Sequence, residues 1–282
     1  MNAKGRLVLV ATPIGNLGDL SPRAASVLEQ ADVIAAEDTR RTRKLLTHAG
    51  IKSGNRLRAV HAHNEAQQAQ VLVDLVRDGA TVAYVSDAGM PGISDPGERL
   101  VRACVEAGVA VEVVPGPSAA LTALVLSGLP TRRFHFEGFL PRKGKERRER
   151  LDALASYADS IVLYEAPTRT AATLADLAGV LGAARPAALV RELTKLHEEA
   201  RRGSLGGLAT SASAAEPRGE VVIVVGPRGP DDEVDDEAVD VAVYQALDRG
   251  ATVRDAAAEV ARDLGVTKKR AYDVALTRRG RR

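Results

Sequence analysis

Aromatic residues and cysteine are nearly absent from this chain. Phenylalanine, tyrosine and tryptophan together make up 3% of the 282 residues, tryptophan does not occur, and Cys104 is the one cysteine. A hydrophobic core therefore has to consist mainly of valine, leucine, isoleucine and alanine. A single cysteine excludes an internal disulfide and any metal site made of several cysteines. With 45% apolar and 27% charged residues, the composition is typical of a folded globular protein.

Long hydrophobic runs are also missing. The first apolar run, residues 7–11, is too short for the hydrophobic region of a signal peptide, and no run approaches the roughly 20 residues of a membrane-spanning helix. We therefore expect a cytoplasmic protein without a membrane partner. The net charge of +2 by itself says nothing about a nucleic-acid partner, so the distribution of charge along the chain has to decide.

Motifs that bind nucleotide phosphates are absent as well. After the first predicted strand, residues 6–11, Gly15 and Gly18 do not have the spacing of a dinucleotide-binding loop, and no Lys-Ser or Lys-Thr pair follows as in a P-loop. Ser21-Pro22 then predicts the start of a helix. The loop after the first strand is therefore either a ligand loop of another kind or an ordinary turn.

The stretch from Tyr84 to Gly97 is the most unusual part of the chain. An apolar run at residues 81–85 predicts a buried strand, and the residues after it include three glycines, two prolines and two aspartates. In open α/β sheets, ligands bind at the carboxyl ends of the strands. Gly89 and Gly92 leave backbone groups accessible, and Asp87 either contacts a ligand or shapes the loop as an Asx turn. We interpret this stretch as the centre of a cofactor site.

Strands and helices alternate along most of the chain, which predicts an α/β fold with a mainly parallel sheet in its first half. We predict an N-terminal α/β domain at residues 1–127, a C-terminal α/β domain at 128–228, and a linker with a small three-helix basic appendage at 229–282. Predicted strands lie at 33–36, 57–60, 111–114, 160–164, 187–191, 198–202 and 220–225. Predicted helices lie at 40–49, 65–78, 98–107, 144–157, 168–180, 204–213, 236–248, 253–264 and 268–278. Thr252 and Thr267 are candidate N-caps of the last two helices.

Nine short motifs follow one another along the chain. Those of the first half are Thr12-Pro13-Ile14-Gly15-Asn16, Ala36-Glu37-Asp38-Thr39-Arg40, His63-Asn64-Glu65, Val85-Ser86-Asp87-Ala88-Gly89, Ile93-Ser94-Asp95-Pro96-Gly97 and Pro115-Gly116-Pro117-Ser118-Ala119. Those of the second half are Phe139-Leu140-Pro141, Tyr164-Glu165-Ala166-Pro167 and Arg191-Glu192-Leu193-Thr194-Lys195. In order and spacing, over residues 6–226, they resemble the tetrapyrrole-methylase superfamily and, within it, the branch called ribosomal RNA small subunit methyltransferase I. Met90, Gly92 and Thr168 depart from the family pattern.

The resemblance implies a two-domain α/β enzyme, usually a homodimer, that binds S-adenosylmethionine in the cleft between its domains. The implied reaction is methylation of the ribose 2′-hydroxyl of a cytidine in the decoding region of 16S ribosomal RNA, in the small ribosomal subunit. The resemblance places these residues around the cofactor: Pro13, Gly89, Ile93, Ser118, Ala119, Tyr164, Leu193 and Gly219. For Ile93, Tyr164 and Leu193, plain core packing is the alternative interpretation.

Methyl transfer to a ribose hydroxyl requires alignment of the reacting atoms and benefits from a base, because the hydroxyl is a weak nucleophile. Glu37, Asp38 and Arg40 are our preferred catalytic group, since two carboxylates and an arginine follow one predicted strand. The same residues fit a helix N-cap with a neighbouring charge partner, and that alternative stays open. Further candidates at strand ends are Glu65, Asp95, Glu165 and Lys195. No metal is required, and His61 and His63 without further ligands are interpreted as polar surface.

Basic residues are concentrated in three places, which favours an RNA partner. Residues 40–58 contain seven basic residues and no acidic one, and residues 132–150 contain eight basic residues against three acidic ones. The helical tail is the third place. Because aromatics are scarce, we expect recognition of RNA backbone and shape rather than stacking on bases. The candidate RNA-binding residues are Arg41, Arg43, Lys44, Arg142, Lys143, Lys145, Lys268, Lys269 and Arg270.

Two other functions fit part of the same pattern. A tetrapyrrole methylase would share the fold, because a fold does not determine a substrate. A small-subunit assembly factor without enzymatic activity would retain the cofactor pocket and the basic residues. The basic stretches argue against the first alternative, and the intact loop with its carboxylates argues against the second.

Overall fold

The computed structural model describes residues 5–228, 236–264, 266 and 268–279, and the chain divides into two compact units. The first unit runs to Ala123 and also contains Glu192–Glu199, whereas the second contains Leu124–Arg191 and the chain from Ala200 onward. The sequence assigned residues 192–199 to the second domain and placed the first boundary after residue 127. The predicted linker at 229–235 and the predicted cap Thr267 lie outside the described residues.

The first unit contains a five-stranded sheet in which every pairing is parallel. Its strands are β1 (Arg6–Val10), β2 (Val33–Ala36), β3 (Leu57–Ala59), β4 (Thr81–Val85) and β5 (Ala110–Val114), in the order β3-β2-β4-β1-β5. The helices that follow them are α1 (Pro22–Gln30), α2 (Thr39–His48), α3 (Glu65–Arg77), α4 (Glu98–Glu106) and α5 (Ala119–Ser127). The predicted parallel α/β sheet is therefore confirmed.

Apolar side chains cover both faces of this sheet, as expected where helices flank a parallel sheet. In β1, Leu7 and Leu9 pack on one face with residues of α3 and α4. Val8 and Val10 pack on the other face with residues of α1. Because neighbouring side chains of a strand point to opposite faces, the continuous apolar run 7–10 places two residues in each core.

Two neighbouring strands send the chain to opposite faces of the sheet. β1 leads to α1, whose Leu28 packs on one face, and the adjacent β4 leads to α4, whose Leu100 packs on the other. A crevice forms where the chain leaves adjacent parallel strands in opposite directions, and ligands of open α/β sheets bind there. The topology therefore directs attention to the carboxyl ends of β1 and β4.

The second unit contains a mixed sheet. Its strands are β6 (Phe134–Phe139), β7 (Ser160–Glu165), β8 (Pro186–Arg191), β9 (Glu199–Ser204) and β10 (Val221–Val225), in the order β6-β7-β10-β8-β9. β6 pairs with β7 in parallel, whereas β10 is antiparallel to both β7 and β8. One core contains side chains of the helices α6 (Gly144–Ala155), α7 (Thr170–Leu181) and α8 (Leu205–Ala214). The predicted alternation of strands and helices is confirmed.

Two elements were missed by the sequence interpretation. α5 has apolar residues at nearly every position, so its sequence lacks the 3.6-residue periodicity that identifies a surface helix. β6 contains an irregularity between Phe136 and Gly138 that interrupts its alternation. The sequence analysis placed the domain boundary just before this stretch, after residue 127, and predicted no strand between there and the helix at 144–157.

The last three helices, α9 (Asp236–Asp248), α10 (Val253–Leu264) and α11 (Lys268–Arg279), have a core of their own. Their positions agree with the predicted helices to within one residue. Oγ1 of Thr252 accepts a hydrogen bond from the backbone N–H of Asp255 at 3.2 Å, which confirms the predicted N-cap of α10. In the described part of the chain, no helix has the length and apolar character needed to cross a membrane.

Glu65 connects α3 to the start of α4. Its side chain is buried, and Oε1 accepts hydrogen bonds from the backbone N–H groups of Gly97, Arg99 and Leu100 at 3.0, 2.9 and 3.2 Å. α4 has no cap of its own, because Gly97 precedes it and offers no side-chain acceptor. A carboxylate at this end also interacts favourably with the helix dipole. Glu65, one of the candidate catalytic residues, therefore anchors the end of the glycine-rich loop.

We predict that Glu65→Ala lowers the free energy of unfolding by about 1–3 kcal/mol, because three buried N–H groups lose their acceptor. Glu65→Gln keeps one acceptor oxygen, so its loss should be smaller. Urea denaturation measures both. The control is Glu98→Ala, which removes an exposed acid paired with Arg102 from the same first turn and should cost less than about 0.5 kcal/mol. Equal losses for Glu65→Ala and Glu98→Ala would contradict the assignment.

Candidate functional site

The loops after β1 and β4 are joined by a pair of backbone hydrogen bonds. The N–H of Thr12 donates to the carbonyl of Gly89 at 2.9 Å, and the N–H of Gly89 donates to the carbonyl of Thr12 at 3.1 Å. Oγ1 of Thr12 also donates to the carbonyl of Ser86 at 3.3 Å. These bonds hold the two loops together at the point where the topology predicts a ligand crevice.

Left-handed backbone conformations explain the glycines of the loop after β4. Gly89, Gly92 and Gly97 have φ angles of 77°, 82° and 139°, and Ser94 has a φ of 61°. Residues with a Cβ atom avoid this region, whereas glycine adopts it at little cost. A Cβ on Gly92 would meet no atom closer than 3.9 Å, so the conformation and not a lack of space requires glycine there.

Gly89 also lies against the loop after β5. A Cβ atom on Gly89 would be 3.4 Å from Cγ2 of Ile14 and 3.4 Å from the carbonyl oxygen of Pro117. The buried Pro13 and Ile14 belong to the loop after β1. Three loops at the carboxyl ends of β1, β4 and β5 therefore meet around Gly89.

The segment Glu192–Glu199 packs onto the loop after β1. The backbone N–H of Asn16 donates to Oγ1 of Thr194 at 3.0 Å. A Cβ on Gly15 would lie 2.6 Å from Cγ of Lys195, so only glycine allows this approach. Thr194 has a φ of 63°, a strained conformation for a β-branched residue. Leu193 is buried in this arrangement, and Nζ of Lys195 pairs with Oε1 of Glu192 at 2.8 Å.

Carboxylates from two adjacent strands meet at the same edge of the sheet. β2 pairs with β4 so that Ala36 lies opposite Val85, which brings the residues after each strand together. The N–H of Asp87 donates to Oε2 of Glu37 at 3.4 Å, and the N–H of Asp38 donates to Oδ1 of Asp87 at 3.0 Å.

Asp87 is also paired with a cation, because Arg41 of α2 lies 3.4 Å from its Oδ2. With bonds to Asp38 and Arg41, the carboxylate of Asp87 supports the loop.

The pKa of Asp95 is raised to about 7, mainly because the carboxyl group is buried and also because Glu37 is negatively charged. A hydrogen bond from Ser86 acts in the opposite direction. The pKa of Glu37 is raised as well, by burial and by the charge of Asp87. With a pKa of about 7, Asp95 holds its proton weakly near neutral pH. Such a group can release and accept a proton close to physiological pH.

Tyr84 is the fully buried side chain beneath these carboxylates. Burial and the charges of Glu65, Glu37 and Asp95 raise the pKa of its phenol, so it stays protonated. The hydroxyl makes no hydrogen bond within residues 5–228, 236–264, 266 and 268–279. An unpaired buried hydroxyl is costly and is typical of a site that a water molecule or a ligand completes.

Asp38 and Arg40 have the capping arrangement. Oδ1 of Asp38 accepts the backbone N–H of Arg40 at 2.8 Å as N-cap of α2, and Oδ2 lies 3.0 Å from the Arg40 guanidinium. Hydrogen bonds from Arg40 lower the pKa of Asp38 to about 2, so it is a weak base. The capping alternative therefore describes this pair, and a catalytic role for either residue stays a prediction.

The remaining candidates for cofactor binding lie in both units. Ile93 is 47% exposed, and Ser118 accepts a weak hydrogen bond from the N–H of Leu121 at 3.5 Å just before Ala119 begins α5. In the second unit, Tyr164 of β7 packs edge-to-face with Phe136 and Phe139, with ring centroids 5.0 and 5.6 Å apart. Gly219 of the second unit has a φ of 85°.

Most of the candidate RNA-binding residues are exposed. Arg41, Arg43 and Lys44 lie on α2, Arg142, Lys143 and Lys145 lie at or just before the start of α6, and Lys268 and Lys269 lie on α11, where Arg270 is half-buried. Among the described residues there is no group of three or more His, Cys, Asp or Glu side chains that could hold a metal ion.

Sequence reasoning missed the roles of Tyr84, Ser86 and Arg41. Tyr84 was interpreted only as a strand residue, and Arg41 only as part of a basic surface. One signal could have revealed a polar site below the loop. Tyr84 stands one residue before the end of a mainly aliphatic strand, and Ser86 and Asp87 follow it.

Known proteins of one family are similar to this chain over nearly its full length. A family model described as Tetrapyrrole (Corrin/Porphyrin) Methylases matches residues 6–209. The ribosomal RNA small subunit methyltransferase I of Mycobacterium tuberculosis is 49% identical over 278 residues, which cover 98% of this chain and 96% of that protein. The protein of the same name from Escherichia coli is 44% identical and covers 99% of this chain and 97% of its own length.

A solved structure shows the same fold. The uroporphyrin-III C-methyl transferase of Thermus thermophilus, complexed with S-adenyl homocysteine, is 24% identical and covers 79% of this chain and 97% of that chain, with a TM-score of 0.56. The chain therefore belongs to the tetrapyrrole methylase family and, within it, to the ribosomal RNA small subunit methyltransferases I.

Proposed function

We propose that this protein methylates the ribose 2′-hydroxyl of a cytidine in the decoding region of 16S ribosomal RNA. Its family makes the chain a methyltransferase of small-subunit ribosomal RNA that uses S-adenosylmethionine. The observation that carries the proposal is the pair Glu37 and Asp95 beside the crevice between β1 and β4. A ribose hydroxyl needs a base when it attacks, and Asp95, whose pKa is raised to about 7 by burial and by the charge of Glu37, exchanges its proton near neutral pH.

The residues at this edge fit S-adenosylmethionine. The molecule carries no phosphate, and none of the loops has the spacing of a phosphate-binding motif. The three loops around Gly89 instead offer backbone groups, the buried Pro13 and Ile14, and the exposed side chain of Ile93. We propose that these residues hold the cofactor together with Ser118, Ala119, Leu193 and, from the second unit, Tyr164 and Gly219.

The carboxylates Asp95 and Glu37 supply the protein's own part in the proposed reaction. Bound S-adenosylmethionine supplies an electrophilic methyl group on a sulfonium. We propose that ionised Asp95 accepts the proton of the ribose hydroxyl that receives the methyl group; the methyl–sulfur bond would break in the transfer and leave the cofactor as its neutral thioether. Glu37 keeps the pKa of Asp95 near neutrality through its negative charge, and Glu65 and the Thr12–Gly89 bonds keep the loop in place.

The proposed partners are small ribosomal subunits and a second copy of the chain, in the cytoplasm where ribosomes are assembled. The exposed basic side chains of α2, α6 and α11 support contact with RNA. Leu121 and Val125, one turn apart on α5, are 51% and 73% exposed, which supports self-association through an apolar surface.

The proposed function predicts where a labelled methyl group goes. With labelled S-adenosylmethionine, we expect transfer to unmethylated small subunits or to naked 16S ribosomal RNA, and none to a precorrin-type tetrapyrrole. Nuclease digestion and mass spectrometry should locate the label on the 2′-oxygen of a cytidine. Label in the tetrapyrrole alone would support the methylase alternative, and cofactor binding without any transfer would support the assembly-factor alternative.

The pKa of Asp95 predicts the pH dependence of methyl transfer. Since a protonated carboxyl cannot accept a proton, kcat/KM should rise with pH through about 7. Glu37→Gln removes the neighbouring negative charge, so the pKa of Asp95 should fall and the rising limb should move to lower pH. Asp95→Asn should lower the rate by about 10²–10⁴-fold and abolish the limb.

The control for this series is Asp38→Asn, which removes the adjacent, half-buried carboxylate. It should leave the position of the limb unchanged, because Asp38 does not contribute to the pKa of Asp95. The assignment of Asp95 as the base is refuted if the rise of kcat/KM with pH keeps its midpoint in Glu37→Gln. It is also refuted if this rise is still present in Asp95→Asn.

Gly89 tests the cofactor site independently of the reaction. Gly89→Val adds atoms toward Ile14 and Pro117 at a φ of 77°, so we expect the Kd for S-adenosylmethionine to rise at least about tenfold, or about 1.4 kcal/mol. The matched control is Gly54→Val, which has a similar left-handed φ of 52° but no atom within 4 Å of the added Cβ. The affinities are measured by isothermal titration calorimetry. If both variants bind S-adenosylmethionine with the same affinity, Gly89 does not belong to the cofactor site.

A further inference from the structure

The second unit contains a strongly basic cavity that the candidate cofactor site does not use. It lies between the start of α6 and α7 and has a volume of about 410 Å³. The charged residues that line it are Arg142, Lys143, Arg147, Arg148, Arg169 and Asp176. Arg169 is far from the others in sequence, so the fold brings the group together.

Hydrogen bonds and ion pairs with neighbouring residues fix the orientation of two of these arginines, Arg147 and Arg169. Arg147 donates to the carbonyl of Pro141 at 2.9 Å, to Oγ1 of Thr173 at 2.9 Å and to Oδ2 of Asp176 at 2.7 Å. Its guanidinium therefore has a defined orientation before any ligand arrives.

Arg169 is anchored by a buried carboxylate. Its guanidinium lies 2.6 Å from Oε1 of Glu165, whose side chain is fully buried. Glu165 also accepts hydrogen bonds from Oγ1 of Thr173 at 2.6 Å and from the N–H of Ala166 at 2.7 Å. Thr173 thus joins both arginines into one network, which gives Glu165 a positioning role.

The other three cations have no acidic partner in the described part of the chain. Arg142, Lys143 and Arg148 are exposed at the mouth of the cavity. With Asp176 and Glu165 counted against the five cations, the site keeps a surplus of three positive charges. α6 begins here without a side-chain cap from Lys143, so its first N–H groups add to the positive potential.

We propose that this cavity binds a phosphodiester of the RNA backbone. The inference rests on the proposed function, which makes RNA the substrate. Oriented guanidinium groups bind phosphate oxygens in pairs, and unpaired lysine and arginine side chains displace counterions from the RNA. No aromatic residue lines the cavity, so it reads charge and not base identity.

The test compares two double variants that each remove two exposed positive charges. Arg142→Ala/Arg148→Ala removes cations at the cavity, whereas Arg77→Ala/Arg102→Ala removes exposed cations of α3 and α4 that do not line it and lie outside the basic stretches. Both variants retain the anchored arginines and the residues of the cofactor site. Binding is measured by fluorescence anisotropy with a 16S ribosomal RNA fragment that contains the decoding region, over a range of salt concentrations.

We expect the cavity variant to raise the Kd for RNA about tenfold. The slope of log Kd against log salt should fall by about 0.7–0.9 for each phosphate that the variant no longer neutralises. The KM for RNA should rise in parallel, while kcat at saturating RNA and the Kd for S-adenosylmethionine stay at the wild-type values. The control variant should stay within about twofold of wild type, because Arg77 and Arg102 are already paired with Asp74 and Glu98.

Equal weakening in both variants overturns the proposal, since RNA would then respond to the general charge of the surface. Unchanged affinity in the cavity variant overturns it too. Wild-type protein is assayed for methyl transfer to the same RNA in parallel. Failure of that transfer counts against the proposed function, whereas normal transfer with unchanged affinity in the variant counts only against the cavity.

Discussion

The pair of backbone hydrogen bonds between Thr12 and Gly89 is the constraint on which the candidate site depends. It joins the loops of two adjacent strands whose helices lie on opposite faces of the sheet. The bonds therefore fix the relative position of the two loops that border the crevice. Gly89 can make both bonds because its φ of 77° is accessible to glycine at little cost. Glu65 holds the far end of the same loop at α4. Binding of a flexible cofactor benefits when the loop needs no reordering.

Four carboxylates near this edge have different properties because their surroundings differ. Asp38 is paired with Arg40, whose hydrogen bonds lower its pKa. Asp87 accepts the N–H of Asp38 and pairs with Arg41. Asp95 is half-buried and close to the negative charge of Glu37, and both effects raise its pKa into the neutral range. Environment, not residue type, therefore selects the proposed base, as in other enzymes that use two carboxylates for different tasks.

Much of the fold could be predicted, because apolar runs that end at glycine and proline carry a local signal. The strands β1 and β4, the caps Ser21 and Thr252, and the helices of the tail follow from patterns within about ten residues. α5 could not be recognised, since a uniformly apolar helix has no periodicity. The antiparallel pairings of β10 depend on strands distant in sequence, and local patterns do not determine such pairings.

The sequence by itself determined the family resemblance, the parallel sheet of the first half, and the loop from Tyr84 to Gly97 as a ligand loop. Only the tertiary structure decided that burial and the charge of Glu37 raise the pKa of Asp95, that residues 192–199 pack with the first unit, and that Arg169 joins Arg147 at one basic cavity. The physical reason is the range of the interactions. Backbone conformation, caps and strand composition are local, whereas pKa values and charge clusters depend on burial and on neighbours that the folded chain brings together.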